Sequence, residues 1–407
     1  MQHPSVRKTL APRLLTVAIL ASAIFVLTFA TEAAHAQTYK VLYNFTGGSN
    51  GYGPYDTIVA PNGTIYGAAF YDPGCACNLI FSLANNSLTV LHRWSEPSGH
   101  NPEEPQGLFL NQNATVLYGT GAYGGPTNMN CFADAGNACG DVFSYDLTKN
   151  QYDELYDFTG TPDGMDPAGK QLLVGGYLYG ITWGGGANGW GSFYRLSSSG
   201  QIEILYSFKN SPDGQGPGDG LVPYQGAAYG ITIGGGSTTC ENGCGTIFKV
   251  TPGGNETVLY TFTGGSDGVN PYQLVGDGQG NFYGLSRAQF DNVVVAVFKI
   301  TASGQFSIAY NGSFVSQIQS ILPGPNGSLY GTASGGNSSC QPNGCGQVFQ
   351  LTPTGNGNGT VNILHQFDGT DGAWPQFDSL VLHNGVLVGS TAIGGSANQG
   401  VIYALKP

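Results

Sequence analysis

A Tyr-Gly pair recurs along the chain at Tyr66-Gly67, Tyr118-Gly119, Tyr179-Gly180, Tyr229-Gly230, Tyr283-Gly284 and Tyr330-Gly331, and Val388-Gly389 keeps the place a seventh time. The spacing runs from 47 to 61 residues, and neighbouring features keep step with it. Tight-turn residues such as Asn62-Gly63, Gly175-Gly176, Asn326-Gly327 and Asn384-Gly385 precede the pair between two short apolar runs, as hairpins require. A variable Gly-rich loop follows, then a third run whose aromatic recurs as Phe81, Phe143, Tyr194, Phe248, Phe298, Phe349 and Tyr403. A fourth run alternates apolar and polar residues, as in Val258-Leu259-Tyr260-Thr261-Phe262, and leads into a Gly-x-x-Pro connector such as Gly268 to Pro271. The sixth copy of that connector is degenerate: Asn311-Gly312 is followed by Phe314 and Val315 and no proline. Four short strands in a unit of about 53 residues make a propeller blade. The expected fold is therefore all-β, a seven-bladed β-propeller with four antiparallel strands per blade.

Composition agrees. Glycine contributes 66 of 407 residues and charged residues only 9%, too few good helix formers for long amphipathic helices. Disorder does not fit 41% apolar and 12% aromatic content, and the glycines lack the three-residue period of collagen. The chain begins on a fourth-strand run, Val41 to Phe45, and ends on a third-strand run, Val401 to Leu405. Pairing of these terminal strands is expected to close the ring and leave no open edge. The recurring Phe of the third strand and Tyr of the Tyr-Gly pair should lie buried between blades.

The segments Gly230-Ile231-Thr232-Ile233-Gly234-Gly235-Gly236, Gly245 to Pro252 and Val258 to Pro271 are similar to the GloVer tandem repeat of exported bacterial "choice-of-anchor" proteins. The similarity covers residues 40–407. It implies a propeller-like repeat protein at the cell surface or outside the cell, and it implies no reaction.

Residues 1–36 read as a signal peptide, leaving 37–407 as one propeller domain. Arg7, Lys8 and Arg13 precede an uncharged apolar run from Leu14 to Ala30, and Ala34-His35-Ala36 offers a cleavage site before Gln37. No later run is apolar enough to span a membrane, so a secreted monomer is expected, extracellular or periplasmic. The formal net charge is −12, which repels a phosphate backbone and speaks against nucleic acid as a partner. Eight cysteines form four local pairs, Cys75/Cys77, Cys131/Cys139, Cys240/Cys244 and Cys340/Cys345, each between the second and third strands of its repeat. In an exported chain these read as disulfides, the first of them a tight ring.

Catalytic groups are sparse. His92 and His365 take the place of the fourth-strand Tyr, no Gly-x-Ser-x-Gly elbow occurs, and Asp163, Asp213, Asp267 and Asp371 each open an Asp-Gly turn. No metal or cofactor is expected. The long loops between second and third strands share one face with the connectors between repeats. Tyr123, Trp183, Trp190 and Trp374 lie in these segments, where an exposed ring can stack on a sugar or pack on a protein. The reading is a non-enzymatic propeller binding a glycan or protein on that face. The alternatives are a propeller hydrolase or lyase acting on polysaccharide, or a purely structural surface protein.

Overall fold

The fourth repeat shows the unit. Strands Gly214–Tyr224, Ala227–Gly235, Thr246–Val250 and Glu256–Thr261 form an antiparallel meander. A computed structural model of the chain describes residues 38–71, 77–94, 104–122, 124, 131, 138–289, 293–340, 344–376 and 380–407. Equivalent meanders run from Tyr52–Val59 to Ser87–Arg93, Pro105–Leu110 to Gln151–Asp157, Met165–Val174 to Ile202–Ser207, Val269–Gly276 to Phe306–Tyr310, and Ile318–Pro323 to Asn358–Gln366. The first strands of all seven repeats surround one central cavity of about 1030 Å³, the arrangement of a β-propeller. Helix is confined, among the described residues, to single 3-10 turns.

The ring closes through the chain ends. Thr38–Asn44 pairs antiparallel with Val401–Lys406, matching Val41 with Tyr403 and Asn44 with Val401. Residues 41–45 and 400–405 thus meet as their sequence types require.

Hydrogen bonding does not divide the chain into seven separate four-stranded sheets, and here the sequence expectation needs correction. Four four-stranded sheets and one five-stranded sheet stand as five separate blades, whereas the third and fourth repeats share one eight-stranded sheet. The join is a single parallel bridge between Lys170 and Gly220. Its cause is glycine: a Cβ on Gly169 would run into the backbone of Gly220, and one on Gly107 into that of Gly169. Without side chains there, three first strands press backbone to backbone. Elsewhere a side chain spans the gap. Asp56 Oδ2 accepts the Leu108 N–H at 2.7 Å, Asp219 Oδ2 accepts Leu274 N–H at 2.6 Å, and Gln273 Oε1 accepts Ile321 N–H at 2.8 Å. The fifth strand of the closing sheet arises because its innermost strand is split into Ala373–Pro375 and Val381–His383.

Between repeats the core is aromatic. The last ring of one fourth strand meets the third-strand ring of the next repeat edge to face, at 5.1–5.4 Å between centroids. The pairs are Phe45–Phe81, Trp94–Phe143, Phe158–Tyr194, Phe208–Phe248, Phe262–Phe298, Phe314–Phe349 and Phe367–Tyr403. All seven third-strand rings are fully buried. Trp94 fills the fourth-strand place as its position implies. Phe314 lies beyond the fourth strand in the degenerate connector, and it supplies the ring that Phe306–Tyr310 does not carry there.

These rings also explain the Tyr-Gly pair. Each glycine is directly opposite its third-strand aromatic, Gly67 to Phe81 and Gly230 to Phe248 for example, and the tip of the ring occupies the space a Cβ would need. The tyrosines of the pair are buried at Tyr66, Tyr179, Tyr229, Tyr283 and Tyr330, while Tyr118 is only half-buried.

Candidate functional site

The recurring aspartates are occupied by the scaffold. Tyr156, Tyr206 and Tyr260 donate their hydroxyls to Asp163, Asp213 and Asp267 at 2.6, 2.8 and 2.9 Å, and His365 Nε2 stands 2.7 Å from Asp371. The same carboxylates accept the backbone N–H of Thr159, Lys209, Thr263 and Asp368. Each ties the end of a fourth strand to the next Asp-Gly turn, so the motif is structural. His365 therefore stands in for tyrosine. His92 instead stacks on Tyr152 at 4.0 Å, where burial pushes its pKa down to about 4.

On the loop face, disulfides join Cys131 to Cys139, Cys240 to Cys244 and Cys340 to Cys345. Cys75 lies outside the described residues, and Cys77 is buried at the start of its third strand. The bridged loops receive the next repeat. The residue before its proline donates its N–H to a loop carbonyl: Asp166 to Cys139, Asn270 to Cys244 and Trp374 to Cys345 at 2.7–3.0 Å, and Gly216 to Trp190 at 3.1 Å. The proline then packs on a loop glycine, as Pro271 does on Gly245. The donor residue adopts positive φ, 54° at Asp166, 46° at Asn270 and 57° at Trp374. Asp and Asn accept that conformation readily, whereas for Trp it is a costly outlier.

Of the four aromatics expected on this face, Tyr123 lies outside the described residues. The others are exposed: Trp183 by 38%, Trp190 by 40% and Trp374 by 42%. Trp374 stands alone at the seventh repeat, its indole N–H donated to Gly344 O at 3.1 Å. Trp183 and Trp190 both adjoin Gly216, the first by its indole and the second by its backbone carbonyl, which accepts the Gly216 N–H.

A carboxylate that sequence reasoning passed over completes this group. Asp166 lies between the register pairs Met165–Gly184 and Pro167–Thr182, which sets it opposite Trp183 on the neighbouring strand. Burial, and secondarily the Glu104 carboxylate, push its pKa up to about 7. Glu104 itself is raised by burial. Both acids occupy the residue before the proline, in the second and third repeats. That shared place was the signal available in the sequence.

Asp166 should leave a mark on stability. Its carboxyl holds a proton in the folded state between about pH 4 and 7, where the unfolded chain has lost it. Stability from this group is thus present at pH 4 and lost as pH rises towards 7. Partial solvent access reduces the effect to about 1–2 kcal/mol. The variant D166N suits the same backbone conformation, since Asn270 occupies this place in the fifth repeat. It should match the parent near pH 4 and exceed it above pH 7. Urea melts across that range check this; parallel profiles would contradict it.

Closed four-stranded repeats, interlocked by aromatic pairs and tied by short disulfides, define a β-propeller repeat protein. The chain belongs to the Gloeobacter/Verrucomicrobia repeat family, whose model matches residues 22–240, 132–298 and 274–407. No curated protein matches the sequence. Solved structures show similarity of fold alone. The extracellular domain of a proposed one-component system from B. thetaiotaomicron aligns with a TM-score of 0.54 at 11% identity. The alignment covers 90% of this chain but 40% of that one, so this chain spans well under half of its length. An oligogalacturonate lyase from Vibrio parahaemolyticus aligns at 0.53 and 11% identity over 91% of this chain and 97% of the lyase. A puromycin-hydrolyzing peptidase from Mycobacterium tuberculosis aligns at 0.52 and 8% identity, over 85% of this chain and 52% of the peptidase. Among the described residues, no helix is long and apolar enough to cross a membrane.

Proposed function

We propose that this chain is an exported, non-enzymatic propeller that binds a saccharide on its loop face, at Trp183, Trp190 and Asp166. The carrying observation is that two exposed tryptophans adjoin Gly216, Trp183 by its indole and Trp190 by its backbone carbonyl. A flat aromatic face takes the C–H face of a sugar ring, and a neighbouring carboxyl group exchanges hydrogen bonds with its hydroxyls. The ordinary use of the four recurrent aspartates as turn ties leaves no repeated acid set for catalysis, which supports binding over turnover. Short disulfides in the loops support export. The ring has seven propeller units in this reading, the eight-stranded sheet counting as two, because each half carries its own aromatic pair and one bridge joins them.

The test is an array of neutral and uronic-acid oligosaccharides probed with the parent and the W183A/W190A variant. The parent should bind at least one class, and the variant should lose that binding with an unchanged melting temperature. No binding by the parent, or equal binding by the variant, overturns the reading.

A further inference from the structure

The opposite face, where the short turns lie, carries a cavity of about 460 Å³ between the third and fourth repeats. Its origin is visible when the repeats are compared. The residue before each Tyr-Gly plugs the interface to the preceding repeat, and it is Ile65, Leu117, Leu178, Phe282, Leu329 or Leu387 in six copies. In the fourth it is Ala228. The partner across the strands shrinks as well. Leu83, Tyr145, Leu196, Ile300, Leu351 and Leu405 oppose the six large residues, whereas Val250 opposes Ala228. Two truncations at one interface leave the hole, and both residues line it.

An unfilled hole between packed sheets costs stability, and the aromatic pair Phe208–Phe248 beneath it is fully formed. The interface is therefore ordered around the cavity rather than collapsed into it. Its walls include Leu172, Tyr179, Phe193, Pro223 and Tyr224, and among the described residues no Asp, Glu, Lys, Arg or His lines it. An ionic group entering such a space would have no partner for its charge. The volume falls within the roughly 300–1,000 Å³ of small-molecule sites.

We propose that this cavity is a binding site for an uncharged, largely apolar small molecule, of aryl or alicyclic type, seated where the other six repeats place a large aliphatic or aromatic side chain. Tyr179, Phe193 and Tyr224 make the aromatic part of its lining. The site is independent of the saccharide reading, since it lies among the turns at Gln225, Gly226 and Pro252 and not among the loops.

The variant A228L restores the residue type of the other copies. The probe is N-phenyl-1-naphthylamine, an uncharged aryl amine whose fluorescence rises in apolar surroundings. The parent and W183A/W190A should bind it saturably at one site, and A228L should bind at least about tenfold more weakly while melting at a higher temperature. The smaller filler A228V should fall between. Absence of saturable binding by the parent, or equal binding by A228L, overturns the proposal. So does a folded but less stable A228L together with a less stable A228V, because the space would then not exist.

Discussion

A chain that starts at Thr46, without the closing strand, is expected to lose more stability than any single substitution in the protein. Removing residues 38–45 strips Val401–Lys406 of its outer partner and takes Phe45 from Phe81. It also removes Tyr39, which stacks on His365 at 3.8 Å and donates its hydroxyl to Asp371 O at 2.7 Å. The strand thus contacts the sixth, seventh and first repeats at once. Truncating one buried aromatic costs about 3–5 kcal/mol, and whole domains hold only about 5–15 kcal/mol. The shortened chain should therefore melt broadly, at much lower temperature, with loss of near-ultraviolet dichroism. A synthetic peptide of residues 38–45 added in excess should recover part of the transition. A sharp, unshifted melt would show that the ring does not depend on its closure.

What could be read in advance was whatever recurs from repeat to repeat. The third-strand aromatic recurs in all seven copies, the turn aspartate in four, and the closing strand is one more fourth-strand run set at the chain's start, so period and residue type suffice. Features confined to one repeat escaped. The merged sheet depends on Gly169 lying backbone to backbone with Gly220, and no local pattern marks backbone contact between strands about fifty residues apart. Asp166 sits opposite Trp183 only because the first strand keeps its register up to the bulge between Ala168 and Leu172. Ala228 differs in kind. It was visible in the sequence as the lone small residue before a Tyr-Gly pair, but a missing side chain has meaning only once its neighbours are known not to move in.

The pairing of glycine with ring makes the strongest claim about why the repeat has its sequence. Phe248 lies fully buried across Gly230, with its edge on Phe208 at 5.1 Å. F248A should cost about 3–5 kcal/mol through the cavity it opens, plus about 1 kcal/mol from the lost aromatic pair. G230A should also destabilise, since its Cβ would sit against the ring tip in a strand hydrogen-bonded on both sides, and overpacked cores typically lose about 1–3 kcal/mol. The two costs should not add. With the ring gone, the space over residue 230 is empty, and the methyl of alanine enters it without strain. The double variant should then be no less stable than F248A alone, giving a coupling energy of about 1–3 kcal/mol between the sites. Urea unfolding of the four proteins measures it directly. Additive losses would mean that the glycine is kept for backbone reasons, and that the match of Tyr-Gly with the third-strand aromatic is not a steric one.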